Sequence, residues 1–179
     1  MNTIYYVDDE EEGPARETSH PTFVALVSED FYYDCTDDFS PFGSDDGYDT
    51  LAGLEEWYRD HGKKKPVVSE FLEELLDDWD FGLPENLIRA EVQVITEWLD
   101  EDNMHETYLH SECRARVATA FGQLKIAGQV DADILDEALA ALRCQLWLNK
   151  RARIHYPQWQ YADQELSRLT QMQSVLKQL

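Results

Sequence analysis

From Pro66 onward, apolar side chains recur every three or four residues. This spacing limits what the chain can fold into more than any other feature. Val67, Val68, Phe71, Leu72, Leu75, Leu76 and Trp79 fall on one broad helical stripe, with Glu70, Glu73, Glu74, Asp77 and Asp78 opposite. The pattern repeats at Ile88, Val92, Ile95 and Leu99, then at Leu109, Cys113, Val117, Phe121 and Leu124 in a longer helix from about Met104 to Ile126. It returns at Leu135, Leu139, Leu142 and Leu146, to about Lys150, and at Leu166, Leu169, Met172 and Leu176. Gly82-Leu83-Pro84, Gly128 to Asp131 (with Asp131 as cap) and Pro157 separate these runs. Upstream, Pro21 opens a short helix carrying Phe23, Leu26 and Val27. Ser44 caps a second that buries Leu51, Leu54, Trp57 and Tyr58 and stops at Gly62-Lys63-Lys64-Lys65. The main strand signal is Thr3 to Val7. The expectation is an all-α fold, a compact bundle of six to seven amphipathic helices with an irregular acidic-aromatic loop near the N-terminus. Residues 1–20 read as an acidic arm, ordered only where something holds it, and 21–179 as one helical domain.

Charge sets the functional boundaries. The chain carries 37 acidic against 15 basic residues, net −22. Residues 1–60 hold 17 acids and 2 bases, whereas 111–179 hold 7 acids and 9 bases. Such a charge repels nucleic acid and anionic membranes and attracts basic partners. A merely solvated surface is the plain alternative, but salt adaptation would charge the whole surface rather than two-thirds of the chain. No apolar run is long enough to span a membrane, and the N-terminus lacks the basic and apolar regions of a signal peptide. Cys35, Cys113 and Cys144 show no paired spacing, so buried thiols in a reducing, cytoplasmic setting are expected.

The motifs for chemistry are weak. His105-Glu106 and His110 suggest a zinc helix, but histidines five apart diverge by about 140° in azimuth, whereas the zinc motif needs four. They read as surface histidines. Asp45 to Glu56 spans the length of a calcium loop without the glycine that such a loop requires at its sixth position. No phosphate loop, dinucleotide fingerprint or nucleophile elbow occurs, and no carboxylate is marked as buried. The expectation is therefore a protein without catalytic residues, metal or cofactor. Arg143, Lys150, Arg151 and Arg153 mingle with Trp147, His155, Tyr156, Trp159 and Tyr161. With so acidic a remainder, that patch reads as serving internal contacts rather than nucleic acid.

The stretch Asp30 to Leu51, DFYYDCTDDFSPFGSDDGYDTL, packs seven acidic residues among aromatics, a proline and two glycines. Phe31, Tyr32, Phe39 and Phe42 are expected to anchor the loop, leaving the carboxylates outside. The candidate partner-binding residues are Asp34, Asp37, Asp38, Asp45, Asp46, Asp49, Glu55 and Glu56, with Glu70 to Asp78 as a further acidic surface.

This stretch resembles the D-x-x-D-x-x-D-E-x-x-P-F-G-S-D-E-G pattern of the bacterial YfeS-like proteins, related to the molybdate regulator MolR. Val117-Ala118-Thr119-Ala120-Phe121-Gly122-Gln123-Leu124 and Gly128-Gln129-Val130-Asp131 resemble the same family's A-T-x-F-G-Q-L and G-x-I-D. The resemblance covers roughly residues 20–145 and implies a bacterial cytoplasmic protein, with no catalytic residue assigned. The chain has no Trp-Gly-Arg, so nothing tied to the WGR module of some family members transfers. Charge and absent motifs together suggest an acidic protein-binding module. Its concrete form is an immunity protein or inhibitor covering the cationic site of a basic toxin or nuclease effector; a regulatory or stress adaptor of the YfeS-like kind, binding a host protein, is the alternative.

Overall fold

The computed structural model describes residues 3–62 and 64–179. Lys63, read as one of the cations after the second helix, lies outside them. Among the described residues, seven α-helices form the fold: α1 (Pro21–Leu26), α2 (Asp45–His61), α3 (Val68–Trp79), α4 (Val92–Glu101), α5 (His105–Ala127), α6 (Ala132–His155) and α7 (Ala162–Leu176). Single 3-10 turns at Asp30–Tyr33 and Leu87–Arg89 complete the regular structure. Ile88 thus belongs to a separate turn, not to the helix that begins at Val92.

Helix α5 is the axis, packed against α1, α2, α3, α4 and α6. It is buried on almost every side from Ser111 to Ile126, not along the one stripe its large residues suggested. Its composition permits this. Ala115, Ala118, Ala120 and Gly122 let neighbouring backbones approach, and α6 answers with Ala138, Ala140 and Ala141. A Cβ on Gly122 would lie 2.9 Å from Leu54 and 3.4 Å from Leu51, so α2 rests directly on that glycine. Other expectations of burial are corrected by the same packing. Val67 and Leu166 are exposed, and Trp57 is half-buried, stacked on His61. Asp131 precedes α6, but its side chain does not cap the helix; its backbone N–H donates to the buried side-chain Oε1 of Gln123 at 2.9 Å.

Residues 3–20 form no strand, yet they are held. The last turn of a helix leaves its carbonyls without internal partners. Here the Tyr6 and His20 N–H groups donate to the Ile126 and Lys125 carbonyls at 3.0 and 2.8 Å. Gly128, with φ 74°, closes the same helix end by donating to the Leu124 carbonyl at 2.9 Å. Tyr5 packs edge-on against Tyr58. The N-terminal segment is therefore a cap on α5, laid across α2.

Candidate protein-interaction site

The loop from Asp34 to Ser44 owes its shape to its own short polar side chains. The Asp34 carboxylate accepts from Thr36 N–H at 2.8 Å, and the Asp37 carboxylate from Phe39 N–H at 2.9 Å. The Ser40 hydroxyl donates to the Asp34 carbonyl at 2.9 Å. These are turns that Asx and Ser residues form readily. Pro41 and Phe42 are buried beneath them, and Ser44 caps α2 by accepting from Gly47 N–H at 3.1 Å. The Thr36 hydrogen bonds also hold the Asp34 carboxyl below its usual range, so it stays charged.

The eight candidate acids do not share one fate. Asp34, Asp38, Asp45, Asp49 and Glu56 are exposed. Asp37 turns inward to Arg168 at 3.4 Å, and the Arg168 guanidinium lies 4.1 Å over the Phe31 ring. Asp46 faces Arg114 at 3.4 Å. These two ion pairs clamp the loop onto α7 and α5, so the expectation that the loop's carboxylates remain outside is corrected for both residues. Glu55 is corrected more strongly: it is buried in a carboxyl cluster that the sequence did not reveal.

In that cluster, Lys125 Nζ is fully buried and lies 2.6 Å from Asp8 Oδ1. Thr18 donates to the same oxygen at 2.5 Å, and Asp8 N–H donates to Glu55 Oε1 at 3.1 Å. Asp8 Oδ2 is buried with no fixed donor. Burial first, then the Asp8 charge and a hydrogen bond to its carboxylate, push the Glu55 carboxyl up to about 7. Glu55 thus retains a proton near neutrality, available to Asp8. The cluster opens into a cavity of about 350 Å³ between the N-terminal segment and α2, lined also by Asp9, Glu10, Tyr48, Glu56 and Arg59.

A pH measurement tests this arrangement. Glu55 titrates at 4.5 when unperturbed and about 7 when folded. Between those values the folded protein holds the extra proton, so this group makes stability fall as pH rises, with its full cost above pH 7. That cost is on the order of 2 kcal/mol once solvent screening is allowed for. Glu55→Gln keeps a donor towards Asp8 and does not titrate. Its thermal midpoint should exceed that of the parent at pH 8 and match it near pH 5; a gap independent of pH would refute the shared proton. The comparison has to be made between variants because His110 slopes oppositely. Burial and the nearby Arg114 charge lower His110 from 6.5 to about 4. Its contribution is complete above pH 6.5 and lost as pH falls towards 4.

The remaining candidates occupy other places. His105 is stacked on Trp98 with ring centroids 3.9 Å apart, and His110 is half-buried with an unpaired Nδ1; neither is the plain surface histidine expected. Among the described residues, no three His, Cys, Asp or Glu side chains gather in a metal-binding group. Cys113 and Cys144 are buried side by side; the Cys144 hydrogen bond, and then burial, raise the Cys113 thiol. Cys35 is exposed, contrary to the expectation of buried thiols. The basic–aromatic patch makes internal pairs: Arg151 with Glu106 at 3.5 Å and Arg153 with Asp163 at 2.8 Å. Beside it lies a second cleft of about 410 Å³, lined by Phe39, His110, Arg114, Tyr156, Trp159 and Glu165 among others.

No described helix is long and apolar enough to cross a membrane. No protein-family model matches the chain, and no solved structure matches it. The chain is similar to a protein of Escherichia coli (strain K12) named "Uncharacterized protein YfeS", with 35% identity over 147 residues. The similarity takes in 77% of this chain and 54% of YfeS, so the chain spans about half the length of that relative. Over most of its own length, then, the chain is a relative of YfeS.

Proposed function

We propose that the chain is an acidic protein-binding module whose partner is a basic protein. Its most concrete form is an immunity protein or inhibitor that covers the cationic site of a bacterial toxin or nuclease effector. One observation carries this reading: Asp34, Asp38, Asp45, Asp49 and Glu56 stay exposed along the motif loop and α2 after the inward acids have been paired. Residues 1–60 hold only two bases, and one of them, Arg16, is bound to Asp30 at 2.7 Å. Carboxylates on a loop pinned by buried Phe42 and two ion pairs present charge with little ordering cost on binding. They would stand where phosphates stand in the partner's cleft.

Association of this kind is steered by charge, so Asp34→Lys/Asp38→Lys/Asp49→Lys should slow binding at least about tenfold at low salt and flatten its salt dependence. Stopped-flow association at 50 mM and 500 mM salt measures this with the partner recovered from the native bacterium at low salt. That partner should be basic, released by a salt step, and toxic when expressed without this chain. Unchanged rates in the triple variant would exclude the face.

The second reading is a regulatory or stress adaptor of the YfeS-like kind that binds a host protein; the similarity to YfeS itself assigns no function. A non-toxic host regulator as the salt-released partner would decide for it.

A further inference from the structure

The cavity between the N-terminal segment and α2 has a composition that the protein-binding reading alone does not explain. Its walls carry Asp8, Asp9 and Glu10 from the N-terminal segment and Glu55, Glu56 and Arg59 from α2. Lys125 of α5 stands behind Asp8. Leu51 and Ala52 provide an apolar lining, and Tyr48 stands at the side with 40% of its surface exposed. The Asp8 side chain is only 7% exposed, and its Oδ2 has no fixed donor. Such an oxygen is costly to bury unless something donates to it. Lys125 and Thr18 are both committed to the other oxygen, so the proton that Glu55 retains near neutrality is the donor left for it within the cluster.

We propose that this cavity receives an arginine or lysine side chain of the basic partner, its aliphatic stem against Leu51, Ala52 and Tyr48 and its cationic head between Asp8 and Glu55. The inference rests on the protein-binding reading and deepens it, turning a diffuse acidic face into one with a central anchor. Arginine and buried aromatic contacts are the kind that dominate interfaces. The anchor's N–H groups donate to Asp8 Oδ2 and to the Glu55 carboxylate. Glu55 releases its proton to solvent as the cation enters, so charge in the site is balanced by exchange. Arg59, 3.8 Å from Glu55 Oε2 and 46% exposed, is free to swing outward as the anchor arrives. A metal ion is the poorer occupant, since no three ligating side chains converge among the described residues.

The test is calorimetric titration of the full chain with nona-arginine, nona-citrulline of equal length, and free arginine amide. Titrations are run at pH 6 in two buffers of different ionisation heat and repeated at pH 8. The expected result is that nona-arginine binds with release of about one proton per protein at pH 6 and far less at pH 8. Glu55→Gln abolishes the release and weakens binding about tenfold at pH 8. Asp45→Asn/Asp49→Asn weakens binding but keeps the release, and nona-citrulline does not bind. If nona-arginine binds Glu55→Gln and the parent alike, with no proton released by either, the anchor is wrong. In that event weaker binding by Asp45→Asn/Asp49→Asn still supports the acidic face, and unchanged binding removes both readings. If arginine amide binds as tightly as the peptide and releases the same proton, the cavity is a site for free organic cations, and the partner anchor is likewise overturned. Thermal melts of each variant, taken beforehand, separate lost binding from lost folding.

Discussion

Lys125→Met should destabilise the protein by about 3–5 kcal/mol at pH 7.5, the size expected when one member of a buried ion pair is removed. The lysine is fully buried, and among the described residues its Nζ is the one cation paired with Asp8, at 2.6 Å. Without it Asp8 is a carboxylate in a nearly closed site, beside Glu55 and without compensating charge. Methionine fills the space of the stem, so the loss reports charge rather than a void. Urea unfolding gives the magnitude, and a second substitution identifies its cause. The double variant Asp8→Asn/Lys125→Met should recover most of the loss at pH 7.5, because both charges are gone. A double variant no more stable than Lys125→Met would mean that packing, not the pair, was removed. Hydrogen exchange locates the damage. The Tyr6 and His20 amides bond to the end of α5 and should exchange first, since residues 3–20 are tied down through Asp8.

That cluster also shows where reading the chain alone runs out. The surface helices were legible because each buries one side: Phe71 and Leu72 lie inside while Glu70, Glu73, Glu74, Asp77 and Asp78 are exposed. Helix α5 was legible as a helix but not as the axis, since a helix buried all round has no polar side to define a stripe. Some of the site left a trace. Glu55 follows Leu51 by four residues and Leu54 by one, which puts it on the buried side of α2. Lys125 stands alone in the apolar run from Val117 to Ile126. A charge in either position needs a partner. Asp8 left none, because within Asp8 to Glu12 nothing local distinguishes the one acid that meets a lysine 117 positions away. The neighbours Asp37 and Asp38, or Asp45 and Asp46, likewise separate only in three dimensions. In each pair the inward member is chosen by an arginine on a distant helix.

Gly43→Ala should cost about 3 kcal/mol or more, through strain in the motif loop rather than lost burial. An ideal Cβ at Gly43 would overlap the Asp37 carbonyl oxygen and approach Ser40 Oγ to 2.5 Å. The carbonyl is backbone and cannot rotate aside, because it accepts from Ser40 N–H at 2.9 Å. Relief requires opening the turn, and the turn holds Asp37 against Arg168 and Ser40 on the Asp34 carbonyl. Gly53→Ala is the matched control. There a new Cβ meets Phe71 at 3.4 Å, an ordinary contact, and alanine in the interior of α2 should gain up to about 1 kcal/mol by helix propensity. The same substitution ten residues apart should therefore carry opposite signs in urea unfolding. Comparable losses at both positions would show that the loop tolerates a Cβ and that its shape is not what the proline–phenylalanine–glycine motif preserves. If the signs do oppose, the variant also separates charge from geometry. Gly43→Ala retains every carboxylate of the acidic face, so any fall in its association rate measures how far the presentation of Asp34 and Asp38, and not their number, governs recognition.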